Sequence, residues 1–331
     1  MSAAPDPAAS PWGRPLLPPA ALLLAAGVAL PWSGLRVHLL IMFLLYGVVA
    51  QCWNLVIGVS GILSFGQLAL FVAGGFATGA LSVEAGWSPW ASLWAAPVTA
   101  VMAALLIGLP ALRLRGTYVV LLTLAFHELL RAFVANGPNW ISHGGHGFRE
   151  VPKLGFERWL GPRGEIYGYY YAALVLFAAT SWAVWRLLHS PVGAAFRALR
   201  DSETYAVSRG IDPFRYKLFL FAFSAFFTGL AGGLMTHYNG SVSPTQLGFG
   251  LMIQLLAMIV LGGWGTFWGP IVGAALLTFL WDWLYGLEEY RTLALGGVLA
   301  AVAVLAPRGL VPLAADLLRR ALRRPGAATV P

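Results

Sequence analysis

Thr123, His127, Glu128 and Arg131 sit in a long apolar stretch at spacings that bring them together on a helix. Glu128 and Arg131 are three apart and share a face, while Thr123, His127 and Arg131 follow one another at intervals of four. A charge at the centre of a membrane-spanning helix costs about 2.5–3.5 kcal/mol on insertion scales, so such a group is paired or functional. Two readings follow: an ion pair that locks the helix to a neighbour, which is favoured, or a polar patch lining a permeation route. Ser64, Gly66 and Gln67 form a second constellation, and Gly262, Gly263, Gly265 and Thr266 a third. Each combines glycines with small polar groups, the pattern of a broken helix whose backbone lines a cavity. Close helix packing is the simpler account of any one glycine pair, including Gly75/Gly79, Gly229/Gly233 and Gly269/Gly273.

Other chemistries lack their parts. His143 and His146 have metal-like spacing, but a site needs a rigid third ligand, and Gly144 and Gly145 stand between them. That stretch reads as a flexible external loop. There is no His-Glu-x-x-His, no Gly-x-Ser-x-Gly and no phosphate loop, since neither Lys153 nor Lys217 follows a glycine. Cys52 is the single cysteine. These residues give no metal site and no cofactor for this chain.

The elements that must position these groups are set by composition. The 331 residues are 59% hydrophobic and 10% charged, against about 45–50% and about 25% in soluble proteins, and mean hydropathy is +0.74. Such a chain is an integral membrane protein, which excludes disorder, a disulfide scaffold and a soluble enzyme. Segments near the roughly 20 residues that cross a bilayer as helix fall at 16–32, 35–57, 64–84, 88–109, 117–136, 166–188, 214–238, 249–262, 268–286 and 292–306. The fold class is all-α, a polytopic bundle of about ten spans, with eight as the lower bound because the first, eighth and tenth are short. The first segment reads as a retained helix, since Pro31-Trp32 stands where a signal peptide would need small residues.

The net charge of +8 lies in short clusters between spans rather than on one basic face. With the N-terminus inside, 14 of the 21 Lys and Arg fall on the cytoplasmic side and six outside, favouring two cytoplasmic termini. The expected organisation is a tail over 1–15, one transmembrane domain over 16–310 and a basic tail over 311–331. Asp282, between Trp281 and Trp283, reads as interfacial.

Two loops are long. The outer one, 137–165, is rich in Gly and Pro. In the inner one, 189–213, Ser190-Pro191 is a helix start, and Val192, Ala195, Phe196 and Leu199 then make one apolar stripe. Asp201 is positioned to cap a second short helix over 202–209 that ends at Gly210 before Pro213. Such an amphipathic pair suits either a groove on a partner protein or the lipid interface.

Four stretches together resemble one known family, the M-type permease subunits of high-affinity branched-chain amino-acid ABC importers. They are Gly61–Gln67 with Gly74-Gly75-Phe76, Leu109–Tyr118 continuing through Thr123–Arg131, Arg197–Glu203 running to Gly210-Ile211-Asp212 and Tyr216-Lys217, and Val260–Thr266 ending in Trp268-Gly269-Pro270. In order and spacing they cover most of the chain from about 46 to 310. The resemblance implies a bacterial inner-membrane subunit that binds no cofactor itself. Its implied partners are two cytoplasmic ATPase subunits using ATP-Mg, a homologous permease subunit and an external binding protein, with no nucleic acid. It further implies that Arg197, Arg200, Asp201, Glu203, Ala206, Gly210 and Ile211 couple the bundle to the ATPases, which tips loop 189–213 towards docking. Two departures stand out: Thr204-Tyr205-Ala206 replaces the family's Glu-Ala-Ala, and Gln67 stands where many relatives have histidine. Relatives also carry urea, short amides or other amino acids. A secondary transporter is the alternative from another class, but it needs a relay of intramembrane carboxylates and only Glu128 is central. A membrane-embedded enzyme needs a nucleophile–base pair that the sequence lacks.

Overall fold

Apolar length decides where this chain is helical, and small residues decide how its helices meet. The computed structural model describes residues 36–114, 116–138, 145–161, 164–284 and 309–322, with isolated positions beyond them. The expected spans 16–32 and 292–306 lie outside the described residues, apart from single positions. Both terminal tails are likewise outside, save the start of the C-terminal one.

Among the described residues, five helices are long and apolar enough to cross a bilayer. They are α1 (Val37–Asn54, prolonged to Val59 by a π-helical turn), α3 (Pro89–Ala111), α4 (Thr117–Ala135), α6 (Glu165–Leu188) and α9 (Pro213–Asn239). Three more are apolar but shorter: α2 (Gln67–Val83), α10 (Phe249–Gly262) and α11 (Gly269–Trp283). With 14 residues, α10 rises only about 21 Å at 1.5 Å per residue, less than the roughly 30 Å hydrocarbon layer. It turns back at once into α11, and the two pack as a hairpin. A Cβ on Gly262 would meet the Gly269 carbonyl oxygen, and one on Gly273 that of Met258.

The bundle centres on α9, which packs against α2, α3 and α1. Lipid offers no hydrophobic drive between helices, so close van der Waals approach carries the association. Gly232 of α9 lies against the Phe71 carbonyl of α2, Gly74 against Gly229, and Gly229 against Ala100 and the Ala96 carbonyl of α3. The glycine pairs thus serve close packing.

One end of the bundle is closed by the segment between α4 and α6. Phe148-Arg149 (β1) pairs antiparallel with Ser241-Val242 (β2), beside a short helix α5 (Glu157–Leu160). Phe148, Val151 and Leu154 are buried, and the Tyr169 hydroxyl accepts from the Leu154 amide at 2.9 Å and donates to the His237 carbonyl at 3.1 Å. The free external loop expected here is instead, over 148–156, a cap folded onto the bundle; His143 lies outside the described residues. At this same end Arg36 pairs with Asp282 at 3.2 Å. The opposite end carries α7 (Pro191–Asp201) and α8 (Glu203–Ser208), and α12 (Leu310–Leu322) starts there.

Candidate functional site

Helices α7 and α8 form an elbow between α6 and α9. Ser190 caps α7, its hydroxyl accepting from the Gly193 amide at 3.3 Å, with Pro191 in the first turn. Gly193 lies against the Leu187 and Leu188 carbonyls, so a side chain there would strike backbone. Ala195, Phe196 and Leu199 are buried against the bundle, and Phe196 meets the Tyr216 ring edge-on. The apolar stripe seats the elbow on its own chain.

The cap of α8 is Ser202 rather than Asp201. Ser202 leaves the helical region at φ −159° and its hydroxyl accepts from the Tyr205 amide. Asp201 is the last residue of α7 and pairs with Arg200 at 3.2 Å. The end of α8 is a Schellman turn: the Ile211 amide donates to the Ala206 carbonyl and the Gly210 amide to Val207, with Gly210 at φ +82°. Ala206 is fully buried beneath that turn.

The charged groups tie the elbow inward. Arg200 donates to the Gly58 carbonyl in the π-turn of α1 at 3.1 Å, and its stem lies over Gly61. Glu203 accepts from Lys217 of α9 at 2.8 Å, and Arg197 donates to the Leu188 carbonyl at 3.0 Å. Burial, with the adjacent Arg200 charge, pushes the Arg197 guanidinium below its usual pKa. Tyr205 and Val207 instead face outward, at least half exposed, and Arg209 covers the Tyr205 ring at 5.3 Å while donating to its hydroxyl. A cleft of about 700 Å³ opens between the elbow and residues 60–63, lined by Arg200, Asp201, Glu203 and Lys217 together with Leu63 and Val119.

The polar groups expected along a route fall at three separate junctions. At the first, the Thr123 hydroxyl accepts from the Phe65 amide at 3.0 Å, Ser64 accepts from the Gly66 amide through its hydroxyl and from the Trp53 indole through its carbonyl. Gln67 donates to Thr228 of α9. At the second, nearer the cap over 148–156, His127 is buried and its Nε2 donates to the Leu247 carbonyl at 2.9 Å, which fixes the proton there. At the third, Gly263 and Gly265 take positive φ, and Thr266 donates to the Gly263 carbonyl while accepting from the Gly269 amide. Asn54 staples this turn to α1: its Oδ1 accepts from the Gly265 amide and its Nδ2 donates to the Thr266 carbonyl, each at 2.8 Å. Sequence reasoning named Tyr205 only as a departure from the family's pattern, and it passed over Asn54. A lone Asn in an apolar span was the available signal for Asn54.

Glu128 stands apart from these. Its carboxylate accepts from Arg131 at 3.3 Å, with the two side chains 40% and 46% exposed. The pair is bonded within α4, on a helix whose buried residues are only Val119, Thr123, His127 and Val134. Tyr118, Leu121, Leu129 and Phe133 on its other sides are at least half exposed.

Known proteins share this architecture's sequence. The family described as "Branched-chain amino acid transport system / permease component" matches residues 35–305. The chain is 32% identical to the high-affinity branched-chain amino acid transport system permease protein LivM of Salmonella typhimurium, over 88% of this chain and 74% of that protein. It is equally similar to LivM of Escherichia coli. The ribose import permease protein RbsC of Haemophilus influenzae is 31% identical over 39% of this chain and 41% of its own. No solved structure matches the chain.

Proposed function

The chain belongs to the family of branched-chain amino acid transport permeases, and from that membership we propose that it is a membrane-spanning subunit of an ATP-driven importer that admits leucine, isoleucine or valine. An external binding protein delivers the amino acid, two cytoplasmic ATPase subunits supply the work, and a homologous permease forms the other half of the route. The observation that carries this reading is the elbow. Its buried stripe and inward charges make it continuous with α1 and α9, while Tyr205 and Val207 are left for a partner. An ATPase seated on that outward edge pushes on Arg200 and Lys217, and so on the π-turn and the foot of α9. Elbow and termini therefore lie on the cytoplasmic side of a bacterial inner membrane.

The exposed side of α4 supports the second permease. Lipid against a half-exposed Glu128–Arg131 pair would cost a few kcal/mol, and a facing protein or a water-filled route removes that cost. Ser64, Gly66, Gln67, Thr123 and His127 stand behind this face, and Gly262, Gly263, Gly265 and Thr266 support it from the elbow end. The experiment is reconstitution with both ATPases, the second permease and candidate binding proteins supplied singly. ATP-dependent accumulation of leucine, isoleucine or valine is expected, none without the ATPases, and Tyr205→Ala weakens ATPase binding. Concentrative uptake driven by a solute or proton gradient alone refutes the assignment.

A further inference from the structure

The structure leaves one element outside the transport machinery, and we propose that α12 (Leu310–Leu322) lies in the headgroup layer at the elbow end and binds anionic phospholipid. Its start is pinned. Gly309, at φ +88°, is so close to Gly263 that a Cβ would lie 2.3 Å from the Gly263 Cα. Gly263 belongs to the turn that Asn54 staples, and a Cβ on Gly265 of the same turn would lie 3.9 Å from the Arg200 guanidinium. The helix therefore begins at the membrane end that carries the elbow. Leu310 is partly buried against the core, but Leu313 and Leu317, one turn apart on one face, are 39% and 57% exposed.

Read at helical period, Leu310, Leu313, Ala314 and Leu317 fall in one arc, Arg319 lies in the opposite one, and Asp316 and Arg320 flank the apolar arc on its Leu313 side. The sequence continues with Arg323-Arg324. Thirteen residues rise only about 20 Å, and three charges among them bar a crossing. Water leaves the leucines bare. An interfacial seat satisfies both arcs, placing the leucines about 5–10 Å into the acyl boundary and the arginines among phosphates. The occupant is lipid rather than an ATPase for two reasons: the helix leaves the bundle at the membrane surface, and the family's match ends at residue 305, before it. The inference rests on the elbow end being cytoplasmic, where anionic lipid gives the arginines their partner.

The test uses the full chain with Cys52, its only cysteine and a buried one, replaced by alanine and a fluorophore at Leu317→Cys. Vesicles are pure phosphatidylcholine or an equimolar mixture with phosphatidylglycerol. In the mixture the label should be quenched by nitroxide on the upper acyl chain and shielded from an aqueous quencher. Its ratio of seated to exposed populations should fall about fivefold for each arginine lost in Arg319→Gln and Arg320→Gln. A label equally seated in both lipids, exposed in both, or shielded only after ATPase subunits are added overturns the proposal. A second label at Tyr205→Cys in sealed vesicles of known orientation reports the elbow's side. An outward elbow refutes the proposed orientation, independently of what the Leu317 label reads.

Discussion

Arg200 should be the residue through which elbow movement reaches the bundle, and Arg200→Met separates that role from its other contacts. The substitution keeps an unbranched apolar stem over Gly61 and removes the donor to the Gly58 carbonyl. A hydrogen bond from a charged group is worth about 1.5–3 kcal/mol, and with the side chain 39% exposed solvent brings this to about 1–1.5 kcal/mol. The ion pair with Asp201 adds little, because Asp201 is 69% exposed and such surface pairs contribute about 0–1 kcal/mol. The population in which elbow and π-turn have parted therefore rises roughly tenfold. In the reconstituted importer, ATP hydrolysis should persist while amino acid accumulated per ATP falls several-fold. Asp201→Asn, which weakens only the exposed pair, should leave that ratio at the wild-type value. If Arg200→Met transports with unchanged stoichiometry, or if Asp201→Asn uncouples equally, the Gly58 bond is not the link.

Asn54→Ala should lower the stability of the detergent-solubilised protein by about 1–3 kcal/mol, read from its unfolding midpoint, because two backbone groups of the Gly265–Thr266 turn lose their partners. A side chain at Gly232 meets the Phe71 carbonyl oxygen at 1.9 Å, whereas one at Gly86 meets nothing within 4 Å. Gly232→Ala should thus cost about 2 kcal/mol or more, and Gly86→Ala, strained only by its φ of +65°, about 1 kcal/mol; comparable midpoints would contradict the packing described for α9. Glu157 carries a raised pKa because the Glu165 carboxyl hydrogen-bonds its protonated form and repels its charge, with Lys153 partly offsetting. A raised acid favours the folded cap at low pH and loses that contribution as pH climbs through the folded pKa. Hydrogen exchange over 157–165, corrected for intrinsic rates, should quicken from pH 4 to 7, and Glu157→Gln should flatten the trend.

Helix bounds were legible because they follow from local apolar length. The expected segment 249–262 is α10 itself, 268–286 contains α11, and 214–238 falls within α9. The elbow's start at Ser190-Pro191 and its Gly210 stop were legible for the same reason, since capping involves only neighbours along the chain. The cap of α8 was not, because Asp201 and Ser202 are adjacent residues of comparable capping strength and backbone geometry chose between them.

By itself, then, the chain's sequence determined that it lies in a membrane as helices and that an amphipathic elbow interrupts it. The fold alone decided what touches what. Asn54 meets Gly265, Arg200 meets Gly58 and Thr123 meets Phe65 across separations of 211, 142 and 58 residues. It also decided that Glu128 and Arg131 pair within α4 with both side chains nearly half-exposed. The physical reason is that crossing a bilayer depends on apolar content summed over some 20 residues in a row, a sum any order of apolar residues satisfies. Which faces meet depends on where a missing Cβ lets two backbones approach, and that is a property of two segments together.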